Sequence, residues 1–255
     1  MRKTKTAILT IISIIILSSA LVACEDKSQE GDNNGGGSNL GKDIEIFEAT
    51  VIDGDGIPLV TPVEGSSELR SADKISVSIK TDSASDYKPG DLLRITYDGL
   101  IAESYPAQIW ASKIEVIGRN MVIDGYLQII DDIYNKDMAL NDGITMLAVD
   151  TSQWKHLSSA EKDILLKILG DQYDLEIIEG TRDELNEMGL IDEEKLYFKE
   201  GILIEIKNLD YKEATNSLSA TISKWRSGKG AIGWDVKASY KDEAWEISRD
   251  GMWIS

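Results

Sequence analysis

The chain holds one cysteine, Cys24, and one histidine, His156, among 255 residues. A lone cysteine cannot form a disulfide within the chain, so the fold must stand on its hydrophobic core. One His and one Cys cannot supply the three or four ligands of a zinc site. Any Ser–His nucleophile would have to use His156, which lies in Trp154-Lys155-His156-Leu157 just ahead of a helix and reads as a turn or surface residue. Positive charge is scarce as well: 27 Lys and Arg stand against 45 Asp and Glu, a net charge of −18. Nucleic acids and anionic headgroups are held by basic surfaces, so this balance argues against both. A membrane span is missing too. The apolar run from Ala7 to Ala23 is 17 residues and includes Ser13, Ser18 and Ser19, short of the roughly 20 apolar residues a spanning helix needs.

Arg2, Lys3 and Lys5 head that run, and Leu21-Val22-Ala23-Cys24 closes it. A charged start, a short apolar stretch and small residues before a cleavage point make a secretory signal. The four closing residues resemble the lipobox of bacterial lipoproteins. That resemblance implies cleavage before Cys24, a diacylglyceryl anchor on the Cys24 sulfur and a place on the extracytoplasmic face of the cell membrane. Two acyl chains hold a protein there stably. Removing residues 1–23 takes away three positive charges and no acid, moving the net charge from −18 to −21. Residues 24–43, with their Gly-Asn-Ser centre, form a flexible tether that sets the folded part about 20–25 Å from the bilayer.

Two domains follow, meeting near Gly118–Asn120. In 44–118 the apolar residues repeat every second position: Ile75, Val77 and Ile79, then Leu93, Ile95 and Tyr97. Pro89-Gly90-Asp91 is a turn, and Asp98-Gly99 predicts a two-residue hairpin into a strand over 100–104. Five or so strands in this span predict a small all-β OB-like barrel. In 119–255 the period changes. Val122, Tyr126, Ile129, Ile130 and Ile133 have helical spacing, as do Leu157, Ala160, Ile164, Leu165, Ile168 and Leu169. Ser158 or Ser159 caps the second helix, and Thr181 with Glu184 is a capping box opening a third. Short strands are expected at 144–149 and 175–178. Four alternating strands close the chain, so the overall class is α+β, with helices on a curved antiparallel sheet.

The chemical motifs are weak. Ser71 to Lys74 and Ser159 to Lys162 match the Ser-x-x-Lys of penicillin-recognising enzymes but lack its companion motifs. Asp53-Gly54-Asp55-Gly56 opens like a calcium loop, yet Ile57-Pro58 occupies the next ligand positions, so a turn explains it and only weak calcium binding is left open. Asp131-Asp132 and Asp192-Glu193-Glu194 read as solvated helix or turn surface. No metal and no cofactor is expected. Trp225, Trp234, Trp245 and Trp253 crowd the last strands. Trp234 and Trp245 keep the apolar register, whereas Trp225 breaks its strand's alternation beside Arg226, the composition of a recognition hot spot. Trp225, Arg226 and Tyr240 are therefore the expected ligand- or partner-binding residues, lining the mouth of the curved sheet.

The stretch from Lys88-Pro89-Gly90-Asp91 to Tyr97-Asp98-Gly99, with Glu103-Ser104-Tyr105-Pro106-Ala107-Gln108, resembles a family of uncharacterised Gram-positive (Firmicute) membrane lipoproteins with an OB-like barrel. Lys224-Trp225-Arg226-Ser227-Gly228 and Trp253-Ile254-Ser255 are similar to accessory domains of Firmicute envelope proteins, and the element order resembles the NTF2-like cone. The expectation is a non-enzymatic, lipid-anchored accessory protein that binds an envelope protein or a small ligand. A carboxylate-dependent envelope enzyme with its pocket in the C-terminal domain is the alternative, and a spacer with no ligand a third.

Overall fold

Alternation in the first half closes a sheet on itself. The computed structural model describes residues 44–79 and 86–255; the expected lipobox with Cys24, the expected signal segment and the expected tether lie outside the described residues. Strands β1 (Glu45–Asp53), β2 (Leu59–Pro62), β3 (Ile75–Ile79), β4 (Asp91–Tyr97) and β5 (Ala107–Arg119) form a closed barrel in the order β1-β2-β3-β5-β4. All pairs are antiparallel except β3 with β5. Inward positions supply the core: Val51, Val60, Val77, Leu93, Ile95 and Ile109 are fully buried. The hairpin expected at Asp98-Gly99 does not form. Both edges of β4 are already taken, by β1 and β5, so residues 100–104 have no strand to pair with and contribute one isolated bridge, Ala102 to Gln108.

Asn120 turns the chain from barrel to helix. Its side-chain oxygen accepts the backbone N–H groups of Val122 and Ile123 at 3.1 and 3.2 Å, capping α1 (Met121–Tyr134). Its amide nitrogen donates to Thr50 of β1 and to Glu161. Next to it, Arg119 pairs with Asp91 at 2.9 Å and Asp124 at 3.1 Å. Helix α2 (Ser159–Tyr173) is capped by Ser158, one of the two expected serines, in a capping box with Glu161, and α3 (Arg182–Glu187) opens with the expected capping box between Thr181 and Glu184.

The second sheet combines two kinds of pairing. Strands β10 (Gly201–Lys212), β11 (Ser217–Ser227), β12 (Gly230–Lys241) and β13 (Ala244–Ile254) form the expected antiparallel meander. Two further strands, β6 (Met146–Asp150) and β7 (Glu176–Glu179), extend it in parallel, giving the order β13-β12-β11-β10-β6-β7. Parallel neighbours need a long crossover, and α2 between β6 and β7 provides it. A small hairpin, β8 (Ile191–Asp192) with β9 (Tyr197–Phe198), joins β11 at its Ser227 end.

Helices α1 and α2 cover one face of this sheet. Tyr126, Ile129, Trp154, Ile164, Ile204, Ile222 and Trp234 share its buried cluster, and Ile52 of the barrel belongs to the same cluster. Each such side chain contributes roughly 1.5–3 kcal/mol through burial. Phe198, Leu185, Leu203 and Trp225 form a separate cluster under α3 and the small hairpin.

Candidate functional site

The helix-covered face offers no mouth. Trp154, Trp234 and Tyr126 are fully buried between helices and sheet, with the Tyr126 and Trp154 rings 4.9 Å apart. The pocket expected inside the curved sheet is occupied by these side chains.

The three expected binding residues part company. Trp225 is buried at 7% exposure, its inner face on Leu203, Ala231 and Phe198, while the Arg182 guanidinium covers it at 4.0 Å. Arg226 points elsewhere, because a register shift follows Trp225. Its guanidinium donates to the carbonyls of Leu140 (2.8 Å) and Asp142 (2.7 Å) and to that of Lys199 (3.3 Å). Arg226 thus ties the 3₁₀ turn Met138–Asn141 to the sheet instead of facing solvent. Tyr240 sits at the other end of β12, against Trp245 at 5.6 Å. Ala231, the cross-strand partner of Trp225, is nine strand residues away from it, about 30 Å at roughly 3.3 Å per residue. These residues do not share one site.

The remaining motifs also resolve into structure. Lys74 pairs with Asp163 and Lys162 reaches the Thr151 carbonyl, so each is engaged away from the Ser of its Ser-x-x-Lys. The Asp53–Gly56 loop is a turn in which the Asp55 N–H donates to Asp53 Oδ1 at 3.1 Å. Gly54 is required there, since a Cβ would lie 1.7 Å from the Tyr87 carbonyl oxygen. Among the described residues no group of three or more metal-ligating side chains assembles. Asp131 and Asp132 are not free surface. Asp131 accepts from Tyr173 and Gln172, and Asp132 holds Arg249 through both of its oxygens. Burial pushes the Asp124 carboxyl above its ordinary value despite Arg119 beside it, but through Arg119 it serves the junction with the barrel.

Three residues that sequence reasoning passed over are prominent. Lys224 is fully buried on the inward register of β11. Its ammonium donates to the carbonyls of Tyr134, Lys136 and Asp137 and to Asn141 Oδ1, closing the C-terminal end of α1. Burial pulls its pKa down to about 8, with the Asp137 charge opposing. A lysine in line with Leu218, Ala220 and Ile222 was the available signal. Arg182 is exposed, stacked on Trp225, and no carboxylate pairs with it among the described residues. Trp253 lies on the uncovered face of the sheet, 44% exposed. It is set directly against Gly233, where a Cβ would meet its ring at 2.6 Å.

The uncovered face is a polar shelf. Register places Asp150, Glu205, Ser223, Gly233 and Trp253 in one cross-strand row. Ser223 donates to Glu205 at 3.2 Å, and in the next row Thr221 donates to Asp235 at 2.8 Å. Trp225 with its Arg182 lies in the row on the other side. The shelf therefore combines an exposed ring, an unpaired guanidinium, hydroxyls and carboxylates, the mixture that orients a bound group. At its rim, Met252 and Ile254 are exposed beside Trp253.

Comparison with known proteins reaches the barrel alone. No curated protein and no solved structure matches the chain. The family model described as "Protein of unknown function (DUF3221)" matches residues 59–118, the span from β2 to the end of β5, and with the closed five-stranded barrel this fits an OB-like fold.

Proposed function

We propose that this chain is a lipid-anchored binding protein of the cell envelope, held on the extracytoplasmic side by Cys24, and that it recognises an envelope protein or small ligand on the uncovered face of its C-terminal sheet. The observation that carries this reading is Trp253: a large ring left open to solvent and seated on Gly233, at one end of a cross-strand row that continues through Ser223 to Glu205. An exposed aromatic ring on a polar sheet face is the composition of a recognition hot spot. The anchor rests on the resemblance of Leu21-Val22-Ala23-Cys24 to a lipobox. The Firmicute origin and the NTF2-like likeness of the C-terminal half belong to the same reading.

Two measurements test it. Labelled palmitate should enter the wild-type protein in cells and not Cys24→Ser; equal labelling, or none in either, removes the anchor. Crosslinking on cells, read by mass spectrometry, should enrich a partner that Trp253→Ala loses together with Arg182→Ala. Retention of every captured protein by both variants places recognition elsewhere.

A further inference from the structure

The sheet ends at β7, which has a strand on one side only among the described residues. The Glu176 N–H donates to the Thr145 carbonyl at 3.0 Å and the Gly180 N–H to the Val149 carbonyl at 3.1 Å. In a parallel ladder alternate residues serve one neighbour, so 176, 178 and 180 face β6. The amide and carbonyl groups of Ile177 and Glu179 consequently point away from the sheet. Along this open edge runs a groove of about 590 Å³ between α2 and β7, lined by Lys167, Asp171, Asp174, Glu176, Ile177 and Glu179.

The charge of the groove is one-sided. Its only cation, Lys167, is already paired with Asp171 at 3.2 Å. Asp53 and Asp55 of the β1–β2 loop act on that lysine as well. Asp174 and Glu176 have no side-chain partner among the described residues. Short edges bearing charge are a common defence against unwanted pairing. Here the defence is selective: the carboxylates repel an acidic strand, including the same edge of a second copy, and attract a basic one. The strong net negative charge of the whole chain adds steering for the same class of partner.

We infer that the β7 edge is a docking site for an extended, Lys- or Arg-rich segment of a partner protein, which adds to the sheet as a further strand with its basic side chains over Asp174 and Glu176; the Glu179 carboxylate already accepts from the Thr151 hydroxyl. Backbone pairing to Ile177 and Glu179 supplies the register, and the carboxylates supply the selection. This rests on reading the chain as a binding protein but uses a different surface from Trp253.

The test uses the full chain in detergent and two labelled octapeptides, one alternating Lys with Val and the other Glu with Val. The Lys–Val peptide should bind at micromolar concentrations, and the Glu–Val peptide should not. Affinity should fall at least tenfold between 50 and 300 mM salt, and hydrogen exchange over 176–180 should slow on binding. Asp174→Lys with Glu176→Lys, both at solvent-facing positions, should weaken binding tenfold or more. Glu179→Pro should do the same, by removing an outward N–H that the β6–β7 ladder does not use. No binding, equal binding by these variants, or binding without slowed exchange over 176–180 overturns the inference. Partner capture that depends on Trp253 but not on the β7 variants would overturn this site and leave the proposed function standing.

Discussion

The barrel and the sheet that follows it solve the same problem, what to do with unpaired strand edges, in opposite ways. The barrel joins β1 to β4 and leaves no strand edge open, although Trp110 and Val116 of β5 stand exposed on its outer surface. Among the described residues the second sheet stays open at β7 and β13, with α1 and α2 over one face and α3 with the small hairpin over only part of the other. Closure explains why the barrel's motifs resolve into turns and caps, as at Asp53–Gly56. Openness explains why the exposed Trp253, the unpaired Arg182 and the acidic groove all belong to the C-terminal half. The difference teaches that in this chain the proposed recognition surfaces lie on an open sheet, not in an internal cavity.

That contrast can be broken first by a core truncation. Trp234→Ala should cost about 3–5 kcal/mol. Because Ile52 of β1 sits in the same buried cluster, urea unfolding followed at barrel and sheet signals should shift together. A barrel transition left in place would show that the two halves are energetically separate.

Lys224→Met comes next, at about 2–4 kcal/mol, since it leaves buried carbonyls without their donor. It also carries a pH signature. The folded-state value of about 8 lies below the ordinary 10.5, so between these values the unfolded chain holds a proton that the native chain has released. This contribution therefore makes wild-type stability rise with pH from about 8 to 10.5. The urea midpoint of Lys224→Met should lack that rise, and an identical rise in both proteins would refute the assignment.

Arg226→Ala should lower stability by about 1–2 kcal/mol, through loss of the carbonyl ties to Leu140, Asp142 and Lys199. Once folded at low temperature, the variant should capture partners as wild type does. Lost capture with unchanged thermal unfolding would restore Arg226 as a binding residue.

The smallest effect belongs to the barrel. Burial works to raise Glu68, yet hydrogen bonds from Ser66, its own backbone, Tyr97 and Ser67 outweigh it and hold the carboxyl below its ordinary 4.5. Its stabilisation is present above that value and fades as pH falls through the lowered folded-state value. Glu68→Gln should cost about 1 kcal/mol at pH 7 and nothing once the pH is well below 4. A constant gap in midpoints across that range would contradict the assignment.

Much of the fold was legible because it is local. The cap at Ser158 and the capping box at Thr181/Glu184 announce helix starts within four residues, and alternation in 75–79 or 91–97 marks strands that bury one face. Legibility fails where partners are distant in sequence. Asp98-Gly99 reads as a hairpin, but β4 had already used both of its edges. Asp131-Asp132 reads as solvated surface, but Arg249 and Tyr173 arrive from other elements. The site fared worst. Trp225 does break its strand's pattern, yet the cause is a second buried cluster and the covering Arg182, not an open pocket.

The sequence by itself determined the α+β class, the change of period near Gly118–Asn120 and the excess of negative charge, because propensity, hydrophobic periodicity and composition act within a few residues. Only the tertiary structure decided that β6 and β7 join the sheet in parallel, that Lys224 closes α1, and that Trp253 rather than Trp225 faces solvent. Those outcomes depend on register and on which edge each strand finds, and a shift of one residue in register exchanges the buried face of a strand for the exposed one.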